Sequence, residues 1–259
     1  MTERNGLNGS TLKMIAIITM LIDHIGAAVI GRMLILQGVN GLDTTDNTAV
    51  MNWLSGNANL YWTYTIMRMI GRIAFPIFCF LLVQGFLHTH DVRKYAIRLG
   101  LFALISEIPF DLAFKSKWME WGYQNVFFTL FIGLLTMMLY HAVEEKTEWS
   151  MGIRAVLYIA ILAAGMMLAY LLKTDYAEKG VFCIMILYIF RKNKRWQLLA
   201  GCASFLWESA AVLAFIPIAL YNGKRGFGGK YFFYIFYPAH LLVLYLLCCL
   251  MGIGQIPAI

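Results

Sequence analysis

Charge is what this sequence has least of. Asp, Glu, Lys and Arg make up 14% of its 259 residues, where a soluble domain of this length would carry them at nearly a quarter. Cysteine chemistry is missing too. Cys79, Cys183, Cys202, Cys248 and Cys249 all lie inside apolar runs, and none has CxxC spacing. That argues against a zinc site or a disulfide framework and leaves them as small buried hydrophobes. No HExxH stands in the chain and no GxSxG-type nucleophile turn, so an intramembrane protease is not expected, and no metal. The first apolar run, "LKMIAIITMLIDHIGAAVI", has no small-residue cleavage site, so it is expected to stay as an uncleaved span. No internal repeat is evident, which counts against repeat-built transporters.

What is present is hydrocarbon. The chain is 61% hydrophobic with a mean hydropathy of +0.69. The excess comes in blocks of roughly 20 residues, the length a helix needs to cross about 30 Å of lipid. The expected fold is all-α, a polytopic bundle of about eight transmembrane helices forming one domain over 1–259. The spans fall near 12–34, 63–87, 94–114, 124–142, 153–172, 178–191, 198–220 and 232–253. Residues 38–62, rich in Gly, Asn, Asp and Thr, read as an irregular loop with a short amphipathic segment around Val50 to Leu54.

The net charge of +7 sits in short loops, where orientation signals belong, and so does not call for nucleic acid. Eight spans put Arg4, Lys13, Arg93, Lys94, Arg98, Lys146, Arg154, Arg191, Lys192, Lys194 and Arg195 on one side. Arg32, Lys115, Lys117, Lys173, Lys179, Lys224, Arg225 and Lys230 fall on the other. The bias is modest, but the densest clusters share a side, which places both termini in the cytoplasm.

Ionisable groups inside the spans need a reason, since each costs about 3 kcal/mol at the bilayer centre. They are Asp23 and His24, Arg68 and Arg72, Glu107 and Asp111, Glu208, and His240. At about 1.5 Å per residue, their depths converge on one band from mid-membrane to the outer half. Arg68 and Arg72 share a helix face, as do Glu107 and Asp111, so two guanidiniums facing two carboxylates is the obvious pairing. That pairing serves equally as a structural clamp or as a charged cavity wall. Asp23 and His24 project about 100° apart on a helix, so Asp23 is not expected to orient His24 directly. A histidine there can take and return a proton. Pro76, Pro109 and Pro238 stand beside these groups and free the carbonyls of Arg72, Ile105 and Tyr234. The loops "VRKYAIR" and "RKNKR" are either ordinary positive-inside clusters or phosphate holders.

The stretches "LKMIAIITMLIDHIGA", "MRMIGRIAFPIFCFLLVQGFLHT", "KYAIRLGLFALISEIPFDLAF" and "KYFFYIFYPAHLLVL" together resemble the TraX family of bacterial membrane proteins. The resemblance spans nearly the whole chain and is specific in its combination of motifs. That family includes an enzyme that N-acetylates a pilin subunit, and it is distantly similar to membrane acyltransferases fed by cytosolic acetyl-CoA. The resemblance therefore implies an acetyltransferase of the bacterial cytoplasmic membrane, with acetyl-CoA as acyl donor and an amine or hydroxyl acceptor: a protein N-terminus, a sugar or a small molecule. In that scheme His24 is the general base or a transient acetyl carrier. Arg72, with Arg68, stabilises the oxyanion or the acceptor, and Asp23, Glu107 and His240 fix the geometry. Arg93, Lys94, Arg98, Arg191, Lys192, Lys194 and Arg195 lie where the donor phosphates would dock. Asp111, Asn125 and Glu208 complete the polar set. The lipid bilayer is the other expected partner, and a homodimer stays open. A proton-coupled permease is the competing function, since a charged mid-membrane band suits it as well; a non-catalytic membrane scaffold is the third.

Overall fold

The structure, a computed structural model, describes residues 6–258. Arg4 lies outside the described residues. All regular elements among them are helices; the contacts of Leu7 with Tyr221 and of Gln124 with Thr174 are isolated β-bridges.

Helix α1 (Gly9–Ile25) starts on Asn8, whose side chain accepts from the Thr11 amide. It runs through a π turn (Gly26–Ile30) into α2 (Gly31–Leu36), making one 28-residue segment. Then follow α3 (Asn47–Gly71), α4 (Ala74–His88), α5 (Val92–Lys115), α6 (Val126–Glu144) and α7 (Met151–Leu171). The chain continues through α8 (Ala177–Ile189), α9 (Lys194–Ser204), a 3-10 turn (Ser209–Ala214), α10 (Phe215–Ala219) and α11 (Lys230–Leu250). Among the described residues, five segments are long and apolar enough to cross a membrane: Gly9–Leu36, Asn47–His88, Val126–Glu144, Met151–Leu171 and Tyr231–Leu250. Helix α5 has the length but carries charge at both ends and in its middle, and α8 has only 13 residues.

Contacts fix the direction of each helix. The Leu7 and Gly9 amides donate to the carbonyls of Leu220 and Lys224. From there α1 and α11 run parallel: Ser10 meets Arg225 and Phe227, His24 meets His240, and Cys248 meets Ala28. At the far end Arg32 meets Ile256 and the Ala258 amide donates to Phe114. The molecule thus has a Leu7 end and an Ile256 end. Helices α4 and α8 lie deepest, with Ile77, Cys79, Ile184, Met185 and Tyr188 all buried. Helix α7 fully buries only Gly165 and Ala169, rests Leu162 and Met166 on the core, and turns Ile153, Val156, Ile159, Met167 and Leu171 outward, as a helix in lipid does.

Three expectations are corrected. The polar stretch 38–62 is not an irregular loop throughout, because α3 begins at Asn47. Asp46 caps it by accepting from the amides of Thr48 and Ala49. Trp53 donates its indole N–H to the Gln37 carbonyl at 2.7 Å, holding the new helix against the end of α2. These fixed contacts outweigh the weak helix propensity of Asn and Gly. The 63–87 span is two helices, broken at Arg72 and Ile73 just before Pro76, where the missing amide makes a break cheap.

The third correction is topological. The stretch 198–220 does not cross. Helix α9 leaves the Leu7 end, the chain turns between Ser204 and Glu208, and the 3-10 turn and α10 bring it back. Lys194 Nζ closes the base on the Tyr221 carbonyl at 3.0 Å, and Phe215 packs on Gly201. A hairpin replaces a crossing, so Leu7 and Ala258 lie at opposite ends, not on one side. Lys224, Arg225 and Lys230 move with it to the Leu7 end. There they join Arg93, Lys94, Lys146, Lys192, Lys194 and Arg195, and the weak charge bias becomes a strong one.

Arg32 is fully buried. Its guanidinium donates to the carbonyls of Ile256 (2.5 Å) and Ala28 (2.6 Å) and to Ser116 Oγ (3.2 Å), tying the C-terminal segment to the π turn and to the residue that ends α5. Arg32→Met should destabilise the protein by about 3 kcal/mol in detergent, since charged hydrogen bonds contribute about 1.5–3 kcal/mol each; an unchanged melting curve counts against this knot. For the topology, cysteines placed at Gly223 and Gln255 in a cysteine-free background should react with an impermeant thiol reagent from opposite membrane faces. Labelling of both from one face would restore the lost crossing.

Candidate active site

Two glycines bring α1 and α3 together. A Cβ on Gly26 would meet Met67 at 2.9 Å, and one on Gly71 would overlap the Asp23 side chain. Asp23 therefore slides under α3 and reaches Arg68, with Oδ2 at 2.5 Å from the guanidinium. The π turn begins two residues past His24, where an inserted residue resets the helix face.

His24 turns the other way, toward α11. Its Nδ1 lies 2.7 Å from His240 Nε2, and His240 Nδ1 lies 2.7 Å from the Phe236 carbonyl. The carbonyl can only accept, so His240 Nδ1 carries the proton. In neutral His240 the Nε2 is then an acceptor, and His24 Nδ1 must donate to it. That leaves His24 Nε2 with its lone pair. The ring planes differ by 4° with centroids 4.9 Å apart, so the imidazoles meet edge to edge and the hydrogen bond lies in both planes. Phe114 and Tyr237 flank His24 edge-on.

Arg72 stands at the break between α3 and α4. Its Nε pairs with Glu208 at 3.0 Å, and its guanidinium also meets the Tyr176 hydroxyl. Glu208 arrives on the tip of the α9–α10 hairpin. Opposite lies Asp175, in the connection between α7 and α8. Tyr123 donates to its Oδ1 at 2.5 Å, and Thr129 donates to its carbonyl. Burial pushes the Asp175 carboxyl above its ordinary range and does the same to the Tyr123 phenol. Tyr176 has a left-handed backbone (φ 64) and stacks on Phe75 with centroids 3.7 Å apart.

These groups border one cavity of about 310 Å³. Asp23, His24, Arg68, Arg72, Asp175 and Tyr176 line it, with Phe75, Phe110, Phe114 and Tyr237 as apolar walls. Lys115, Tyr123 and Ala258 line it toward the Ile256 end. His240 lies behind His24, and Glu208 behind Arg72.

The expected facing of Arg68 and Arg72 with Glu107 and Asp111 is not found. The guanidiniums pair with Asp23 and Glu208, and the carboxylates brace a loop instead. Glu107 accepts from the backbone and side-chain amides of Asn125, whose Nδ2 also reaches the Ala103 carbonyl and whose Oδ1 caps α6 at Phe127. Asp111 accepts from the Glu120 amide at 2.7 Å. Neither carboxylate lines the cavity. At the Leu7 end Arg191 is tied to Glu144 at 2.6 Å and lies over the Tyr188 ring. Lys94 pairs with Asp91, and Arg98 bonds Tyr234. Lys192, Lys194 and Arg195 are exposed, and Arg93 borders a separate groove between α5 and α6. Among the described residues no three His, Cys, Asp or Glu side chains converge as metal ligands.

Asp175, Tyr176, Tyr123 and Lys115 were not picked out by sequence reasoning. They sit in or beside connections, where a polar residue costs nothing, so no composition signal marked them.

Chemically the cavity offers an uncommitted imidazole nitrogen in a lining that it shares with two guanidiniums. Residues 8–248 match the TraX protein family. Over 216 residues the chain is 29% identical to a probable fimbrial assembly protein FimC, serogroup H1, of Dichelobacter nodosus, covering 71% of this chain and 83% of that protein. No solved structure matches. The matched region runs from the cap of α1 through nearly all of α11 and holds every cavity-lining residue named above except Ala258, and on that coverage the chain belongs to the TraX family.

Proposed function

We propose that this protein is an integral-membrane acetyltransferase that moves an acetyl group from cytosolic acetyl-CoA to an amine or hydroxyl acceptor. The named relative suggests an acceptor belonging to fimbrial assembly. The single observation that carries the proposal is the His240–His24 relay, which leaves His24 Nε2 unprotonated on a cavity it shares with Arg68 and Arg72. The basic Leu7 end faces the cytoplasm of a bacterial inner membrane by the positive-inside rule. The acceptor would then come from the Ile256 end, toward which Lys115, Tyr123 and Ala258 line the cavity.

The residues suit a thioester donor. The cavity is of a size for the acetyl end and supplies both a base and hydrogen-bond donors for a carbonyl. The exposed Lys192 and Arg195 would hold phosphates at the cytoplasmic end, beside Lys194, which is engaged by the Tyr221 carbonyl. Arg191 would not, being spent on Glu144. The donor supplies an activated acyl carbon with a thiolate leaving group. His24 Nε2 takes the proton of the acceptor N–H or O–H as that atom bonds to the acyl carbon. The guanidinium N–H groups left over from the Asp23 and Glu208 pairs are the donors available to the carbonyl oxygen as it gains charge. When the C–S bond breaks, His24 returns its proton to the sulfur, giving acetylated acceptor and free thiol. His240 is a positioning residue: it holds the His24 tautomer through both steps.

With labelled acetyl-CoA and a membrane extract as acceptor source, His24→Ala should lower thiol release about 10²–10⁴-fold. His240→Phe should lower kcat with little change in KM for acetyl-CoA, because it frees the tautomer without touching the donor. Undiminished turnover in His24→Ala removes the base. Uptake of a solute into proteoliposomes with no thiol release favours the permease.

A further inference from the structure

A second cavity lies away from the polar site. It is a groove of about 410 Å³ on the membrane face between α5 and α6. Ile97, Leu101, Leu104, Phe131, Leu135 and Met138 form its walls. Gly100 and Phe131 both line it, with the Phe131 ring packed against the Gly100 backbone; a Cβ there would come within 3.2 Å of that ring, so a bulky side chain would push the ring aside or project into the groove. The polar residue bordering it is Arg93, an exposed guanidinium in the first turn of α5 at the Leu7 end. Its neighbour Lys94 is engaged by Asp91.

The dimensions match one leaflet. From Arg93 to Leu104 the helix rises about 16 Å at 1.5 Å per residue, and half of a hydrocarbon core of about 30 Å is about 15 Å. Arg93 is therefore at headgroup level when the apolar walls span the acyl region beneath it. A groove that is apolar along its length and cationic at its membrane-surface end complements a lipid with an apolar chain and an anionic head. We infer that this groove is a binding site for one anionic phospholipid of the leaflet at the Leu7 end. The acyl chain lies over Gly100 against Phe131, and the headgroup phosphate accepts from Arg93. The site is independent of acetyl transfer. It also gives Arg93 a role other than holding the donor.

The test is native mass spectrometry of the full chain in mild detergent, with dioleoylphosphatidylglycerol and dioleoylphosphatidylethanolamine competing at equal concentration. The expected result is one retained phosphatidylglycerol, favoured about fivefold over the zwitterionic lipid: both phosphates can accept from Arg93, but the ammonium of phosphatidylethanolamine cancels the net negative charge that the guanidinium attracts. Arg93→Gln should abolish the preference and Arg93→Lys should keep most of it. Gly100→Leu should reduce retention of both lipids. Equal retention of the two lipids by the unaltered protein overturns the inference, whatever the variants do. So does a preference that survives Arg93→Gln.

Discussion

An ionised carboxylate halfway along a membrane helix has no water to turn to, and Asp23 meets this constraint with Arg68 at 2.5 Å. The pair is possible only because Gly71 offers bare backbone where any Cβ would overlap the carboxylate. Once formed, it fixes the rotation of α1 about its own axis. The next residue, His24, is then turned about 100° away, toward α11, where His240 receives it. One turn past Arg68, Arg72 needs its own counter-charge and takes Glu208 from the hairpin tip. The placement of four elements around the cavity thus follows from satisfying charge in hydrocarbon.

The hairpin is the clearest case of that logic. Non-helical backbone at membrane depth survives only where protein or a cavity surrounds it. The two ends of the turn meet this condition, since Phe205 packs in the core against Phe75 and Phe215 and Glu208 is held by Arg72, while the side chains of Leu206 and Trp207 between them are exposed. The turn changes the parity of the whole chain. It sends α11 toward the Ile256 end and gathers Lys224, Arg225 and Lys230 with the other basic loops. A charge distribution that looks ambiguous with eight crossings is strongly polarised with the hairpin in place.

Much of this was legible because charge in an apolar run is costly and therefore informative. Asp23, His24, Arg68 and Arg72 stand out from their neighbours, and counting residues along each span places them at one depth. The near-perpendicular projection of Asp23 and His24 matches their separate partners. Pairing was not legible. Two guanidiniums and two carboxylates, each spaced by four residues, fit one another on paper, but complementarity of charge says nothing about which helices touch. Small residues decide that, and Gly26 and Gly71 look unremarkable until α1 lies against α3. The hairpin was hidden because 198–220 is apolar enough to cross, and what stops it is a tertiary contact at Glu208. Asp175 and Tyr176 were hidden because a left-handed turn carries them back into the bundle from a connection that looks solvent-facing.

The same contacts bear on whether the site moves. An alternating-access carrier must shift one group of helices against another, and here that would part α1 from α3, α1 from α11, or α3 from the hairpin. Each of those interfaces carries an ionic or hydrogen-bonded pair in a partly buried setting, and parting it would leave a charge or a donor without its partner. Acid–base chemistry asks for no such motion. His24 Nδ1 donates to His240 whether Nε2 is bare or protonated, so a proton can arrive and leave with every helix in place. In the proposed reaction the paired charges would stay as balanced pairs throughout, and the group to change state would be the imidazole whose second nitrogen the fold has left uncommitted. A frame this heavily cross-tied suits reactants that come and go around fixed side chains better than a pore that must open by turns to each face.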